Sequence, residues 1–190
     1  MERILALDIS SSTIGWSVFD ISAQRDVTLS LMGYIKPLPA RKGKNTYSVS
    51  RRLSATYDAV EKLLDMVQPT TVAVEDYARR FSQGRSSAQT IILLSVWNET
   101  CSLVAFRKIG KDTFKYPVVS IRAEIGRHFG VKIVSKDDIF PEIVKNCKRF
   151  APEKNRSGNV KTESGDVADS IAVGITHIVR ECQPIHTWDI

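Results

Sequence analysis

The stretch "ILALDISSSTIGWSVFD", residues 4 to 20, decides how the rest of the chain is read. Ile4 to Leu7 is a short apolar run of the kind that forms a buried strand, and Gly15 to Phe19 is a second one. Between them lie Asp8, Ser10, Ser11, Ser12 and Thr13, residues that favour a tight turn and fold one strand back on the other. A lone strand-end aspartate can simply accept hydrogen bonds in its turn. The meaning of Asp8 therefore depends on which other acids meet it.

Moving outward, Val27 to Ile35 is a third strand and completes an antiparallel meander. The segment "PLPARKGKNTY" is rich in proline, glycine and basic residues and reads as an exposed loop. Val49, Leu53, Tyr57, Val60, Leu64 and Val67 recur at helical steps, predicting a helix that stops before Pro69. "TTVAVED", Thr70 to Asp76, is apolar and β-branched until two acids close it, so it reads as a buried strand with carboxylates at its C-terminal end. Ala88 to Phe106 predicts a largely buried helix, and "YPVVSI", Tyr116 to Ile121, a further strand. Helices are expected around Arg122 to Phe129 and Lys136 to Cys147. "APEKNRSGNVKTES", Ala151 to Ser164, breaks all periodicity and reads as a mobile loop, after which Val167, Ala168, Ile171, Ala172, Ile175, Ile178 and Val179 mark the buried stripe of a last helix. This order predicts an α/β fold with a mixed central sheet, in one domain spanning residues 1 to 190.

The composition sets bounds on function. A hydrophobic content of 43% with 25% charged residues is that of a globular chain, and no run approaches the length of a membrane span. The first apolar run begins at Ile4, which leaves no room for a secretion or transit signal and points to a cytoplasmic protein. Cys101, Cys147 and Cys182 fit neither a disulfide framework nor a zinc pattern and read as reduced, buried thiols. His128, His177 and His186 have no metal-site spacing and read as structural. A net charge of +6 favours a polyanionic partner.

Against that background the acids stand out as a set. Asp8 and Glu75 close apolar strands, while Asp166 and Asp169 open an apolar helix three residues apart, on one face. If the first and fourth long strands are sheet neighbours, all four converge. Carboxylates so close repel one another and take up protons unless a cation offsets the repulsion, and hard divalent ions prefer oxygen ligands. Four such acids suit a pair of Mg2+ ions about 3.5–4 Å apart, the arrangement used in phosphodiester cleavage.

"LALDISSSTIGWSV", "VAVEDYARR" and "GDVADSIAVGITHI" resemble, in order and separation, the three acidic motifs of RuvC-type Holliday junction resolvases of the RNase H-like superfamily. The resemblance covers nearly the whole chain. It implies an RNase H-like fold, with an antiparallel meander plus parallel strands flanked by helices. It also implies that Asp8, Glu75, Asp166 and Asp169 are catalytic metal ligands for two Mg2+ ions, with Mn2+ able to substitute. The implied protein is a homodimer that nicks two strands of a four-way DNA junction symmetrically and leaves 5′-phosphates. Bacterial resolvases usually carry a glycine-containing turn where this chain has Ser10, Ser11 and Ser12, and the opening motif also resembles the first RuvC motif of the much longer RNA-guided CRISPR nucleases. Other RNase H-like nucleases, acting on RNA–DNA hybrids, branched DNA or ribosomal RNA precursors, and an inactive nucleic-acid-binding module share the same outline.

Several basic and aromatic residues are candidate DNA contacts. Tyr77, Arg79, Arg80, Phe81 and Arg85 follow Glu75 and mix phosphate-binding charge with rings suited to stacking on an unpaired base. The resemblance implies an aromatic residue there near the junction centre. Lys136 lies where RuvC-like proteins carry a basic residue beside the scissile phosphate, and Lys154, Arg156 and Lys161 stand in the late loop.

Overall fold

The structure is a computed structural model and describes residues 1–76 and 88–190. β1 (Glu2–Ile9), β2 (Ile14–Ile21) and β3 (Asp26–Ile35) form the expected antiparallel meander. Within the basic segment that follows, β4 (Arg41–Lys42) and β5 (Asn45–Thr46) make a small separate hairpin. The helix α1 (Val49–Val67) has the predicted ends. The Ser48 side chain caps its N-terminus by accepting from the Arg51 N–H, and Gln68 in the left-handed region terminates it ahead of Pro69.

The strand β6 (Thr71–Asp76) then enters the sheet beside β1 and parallel to it, pairing Ile4 with Thr71 through Leu7 with Val74. After α2 (Ala88–Ile109), β7 (Phe114–Pro117) adds in parallel outside β6. The chain continues through α3 (Val118–Phe129), α4 (Ile139–Asn146) and α5 (Thr162–Glu181), and β8 (Thr187–Asp189) pairs in parallel with β3 at the far edge. The sheet order is therefore β7-β6-β1-β2-β3-β8, mixed and flanked by helices, as the sequence predicts. Among the described residues no helix is long and apolar enough to cross a membrane.

Strand periodicity sorts the core into two layers. Ile4, Ala6, Phe19, Ile21 and Ala73 face α3, α4 and α5, where they meet Ile121, Ile125, Ile139, Ile143, Ile171 and Ile175. Leu5, Leu7, Val18, Val72 and Val74 face α1 and α2, where they meet Val60, Leu64, Trp97, Cys101 and Val104. Both faces of β1 are thus buried, which is why its sequence is a continuous apolar run.

Three local readings need correction. The strand expected over Tyr116 to Ile121 ends at Pro117, and α3 begins at Val118. Pro117 has no N–H to give to a sheet ladder but fits the position before a helix, and Ile121 and Ile125 then recur at a helical step into the core. The last helix starts at Thr162, so the late loop is shorter than predicted. It is also held by hydrogen bonds, since Asn155 Oδ1 accepts from the N–H groups of Ser157 and Asn159 at 2.9 and 3.0 Å, and Lys154 and Val160 form a β-bridge. Finally, α2 is buried on one face only. Trp97, Cys101, Val104 and Ala105 reach the core, while Ile92, Leu103 and Phe106 remain exposed on the other side.

Candidate active site

The parity of the strands aims the first two acids. Asp8 follows Ala6 on the α5 face of β1, and Glu75 follows Ala73 on the same face of the neighbouring strand β6. Both therefore point beneath the start of α5, which carries Asp166 and Asp169. α5 comes close because β2 carries glycine where it crosses. A Cβ on Gly15, the register partner of Asp8, would lie 2.0 Å from the backbone oxygen of Asp166, and one on Gly174 would lie 2.1 Å from the Phe19 ring. The missing side chains let α5 lie directly against β2.

The turn after Asp8 is built by its hydroxyls. Ser10 Oγ accepts from the N–H groups of Ser12 and Thr13 at 3.2 and 2.9 Å and donates to the Thr13 carbonyl at 2.7 Å. This local bonding lets serine close the turn without glycine. The Thr13 side chain faces Asp166 and works against the rise in its pKa. Arg52, almost fully buried, donates to the carbonyls of Ser11 and Leu38 at 2.9 Å each, and its guanidinium lies 4.6 Å over the Trp97 ring. Asn98 of α2 holds the end of β6 by donating to the Glu75 carbonyl at 2.8 Å.

Lys136 is the hub of the cluster. Its ammonium lies 3.0 Å from Asp169, 3.2 Å from Glu75 and 3.8 Å from Asp8. Lys136 opens a short 3-10 turn, Lys136–Asp138, ahead of α4. Asp138 fixes that turn by accepting from the N–H groups of Val134 and Ser135 at 2.9 and 2.7 Å. Asp8, Ser10, Glu75, Asn98, Lys136 and Asp166 line an open cleft of about 260 Å³.

Charge in this cleft is under tension. Burial pushes Asp8 up to about 7; Lys136 lowers it and the charges of Asp169 and Asp166 raise it further. Glu75 is also pushed up to about 7, by burial and then by Asp8, with Lys136 opposing. Asp169 rises to about 6 through burial, and Asp166 is raised for the same reason. Burial works against the Lys136 ammonium, but Asp8, Glu75 and Asp169 together outweigh it and raise its pKa. One ammonium leaves several buried carboxylates incompletely neutralised. The donors are all oxygens, a set that fits hard divalent ions such as Mg2+.

A pH dependence follows from the direction of these shifts. Acids with raised folded-state pKa values bind more protons folded than unfolded, so their contribution to stability falls as pH rises from about 4 to about 7. A divalent ion would bind only the ionised cluster. In calorimetric melts, Mg2+ over EDTA is expected to raise the midpoint by several degrees at about pH 8 and much less at about pH 5.5. Taking the Mg2+-dependent difference removes the opposing contribution of buried His177, whose lowered pKa favours the fold as pH rises. An equal shift at both pH values would contradict this electrostatic account.

Of the other candidates, Lys154 and Arg156 are exposed on the late loop, and Lys161 pairs with Glu153 at 2.7 Å just before α5. Tyr77, Arg79, Arg80, Phe81 and Arg85 lie outside the described residues. Sequence reasoning missed Thr13, Arg52 and Asn98. For Arg52 a signal existed, because it stands four residues before Thr56 and eight before Val60 on the buried face of α1.

No family model matches the chain, and no curated protein matches it. Solved structures do. RuvC of T. thermophilus in complex with a Holliday junction substrate aligns with a TM-score of 0.64 at 16% identity, over 94% of this chain and 95% of that one. The yeast mitochondrial Holliday junction resolvase aligns at 0.63 and 11% identity, over 92% of this chain and 77% of that one. The fowlpox virus resolvase, in complex with Holliday junction DNA, aligns at 0.51 and 15% identity, over 93% and 97%. The chain has the fold of RuvC-type Holliday junction resolvases.

Proposed function

We propose that this protein is a metal-dependent, structure-selective endodeoxyribonuclease that resolves four-way DNA junctions by paired symmetric nicks. The observation that carries the proposal is the gathering of Asp8, Glu75, Asp166 and Asp169 from three elements around Lys136, in an open cleft of a resolvase fold. Asp8, Glu75, Asp166 and Asp169 would hold Mg2+, with Mn2+ as a substitute. Bound there, the ions would activate the attacking water and stabilise the leaving oxygen.

The chain's own residues do the remaining work. Asp8, on the strand between Glu75 and the α5 pair, anchors the set, and Thr13 favours the ionised form of Asp166. Lys136, whose ammonium lies among Asp8, Glu75 and Asp169, would meet the negative charge that develops on the scissile phosphate. Lys154, Arg156 and Lys161 flank the start of α5 and supply phosphate contacts that position the DNA, while Tyr77, Arg79, Arg80, Phe81 and Arg85 are proposed to meet the junction centre.

Paired nicking needs two sites, and α2 supports a homodimer. Ile92, Val96, Leu103 and Phe106 recur at four-, seven- and three-residue steps along one side of that helix, and Ile92 is 61% exposed. Such a seam suits packing against the same seam of a second copy.

Gel assays on four-way junction, flap, duplex and RNA–DNA hybrid substrates, with and without Mg2+, test the reading. Symmetric Mg2+-dependent nicks in the four-way junction are expected, with the other substrates cut at least tenfold more slowly. Preferential cutting of the hybrid would assign the fold to a different nuclease activity, and DNA binding without any cutting would make it an inactive module.

A further inference from the structure

At the opposite end of β1 and α5 from the carboxylates lies a second group of potential ligands. Glu2 opens β1, His177 stands in the penultimate turn of α5, and Cys182 closes that helix. One carboxylate oxygen, one imidazole nitrogen and the cysteine sulfur lie within 4.8 Å of one another, with His177 and Cys182 buried and Glu2 half-buried. We propose that Glu2, His177 and Cys182 form a binding site for a borderline-soft divalent cation, Zn2+ above all, with water as the fourth ligand.

The chemistry of the three side chains supports this. Thiolate, imidazole and carboxylate are the ligand types of zinc, and three protein ligands with an open fourth position is a common zinc arrangement. Burial pushes the pKa of His177 down to about 4, so its imidazole is neutral. Its Nδ1 lies 2.9 Å from the Tyr116 hydroxyl, which is itself 3.4 Å from a Glu181 carboxylate oxygen. When Tyr116 donates to Glu181 and accepts from Nδ1–H, the lone pair of Nε2 is left for a metal, in the outer-shell pattern that orients ligating histidines. Thr71 Oγ1 lies 3.5 Å from a Glu2 oxygen and directs that carboxylate.

Charge balance points the same way. Binding releases the Cys182 thiol proton to solvent, and the thiolate and the Glu2 carboxylate then neutralise a doubly charged ion. A neutral assembly tolerates burial far better than a free charge. Glu2 is six residues from Asp8 along β1, about 20 Å, and His177 is eleven from Asp166 along α5, about 16 Å. The two sites are therefore separate, and the oxygen-only cluster and this mixed one select different ions. An ion here braces β1 against α5, the two elements that carry Asp8, Asp166 and Asp169.

Titration of the full-length protein with Co2+, in the presence of excess Mg2+, tests the proposal independently of nuclease activity. The expected result is a thiolate-to-cobalt charge-transfer band with the visible bands of a tetrahedral site, abolished in Cys182→Ser and weakened at least tenfold in apparent affinity in Glu2→Gln. The band should persist in Asp8→Asn, which separates this site from the carboxylate cluster whether or not that cluster is catalytic. Zn2+ should displace the Co2+ and raise the melting midpoint of the wild type by several degrees but not that of Cys182→Ser. Absence of the thiolate band would overturn the proposal. So would a band that survives in a folded Cys182→Ser protein, because its thiolate would then be Cys101 or Cys147.

Discussion

Asp8→Asn is expected to lower Mg2+-dependent nicking of a four-way junction by about 10³-fold or more, some 4 kcal/mol at roughly 1.4 kcal/mol per decade of rate. The amide keeps the shape of the side chain and removes the charge that metal coordination requires. Asp8 is only 7% exposed and sits among like charges, so the same change should also relieve repulsion. The metal-free variant is therefore expected to melt at a higher temperature than the metal-free wild type at neutral pH, while junction affinity by gel shift stays within about threefold of wild type. Loss of activity through misfolding would lower the melting temperature instead. Undiminished Mg2+-dependent nicking by the variant would refute the assignment of Asp8.

Gly15→Ala should be severe for a different reason. Its Cβ would lie 2.0 Å from the Asp166 oxygen, 2.3 Å from the Asp166 carbonyl carbon and 2.8 Å from the Val167 nitrogen, all backbone atoms that cannot rotate away. Relief requires α5 to lift from β2, which opens the core around Val167 and Ala168 and withdraws Asp166 and Asp169 from Asp8. Overpacking of this kind costs about 3 kcal/mol. The loss should appear in urea unfolding, together with weaker Mg2+ binding by calorimetry. Ala at this position with stability within about 0.5 kcal/mol of wild type would show that α5 packs differently from the description given above.

Much of this site was legible before any coordinates. The alternation that buries both faces of β1 gives its apolar run, and the same parity carries Asp8 to the face of Ala6. Asp166 and Asp169 share a helix face by their spacing alone. The supports were harder to read, because they depend on contacts between segments far apart in the chain. Arg52 is one such support: the turn that follows Asp8 brings the Ser11 carbonyl, and α2 brings the Trp97 ring, within reach of its long planar cation. Asn98 acts through the Glu75 backbone, which no side-chain pattern reveals. The strand expected at Tyr116 to Ile121 failed because β-branched residues fit either element, and Pro117 decided between them. Glu2, His177 and Cys182 escaped notice because histidine and cysteine were judged by separation along the chain, whereas the sheet brings the first strand under the end of the last helix.

The position of Lys136 bears on how a divalent ion would enter the carboxylate cluster. A set of buried acids with nothing positive among them would spread apart or protonate, and the site would have to assemble around each arriving ion. Here the ammonium stands in for that ion, 3.0 Å from Asp169 and 3.2 Å from Glu75, and the strands and helix are already in register around it. Loading would then be an exchange of one cation for another inside a finished frame, and the displaced ammonium would be free to face the DNA backbone.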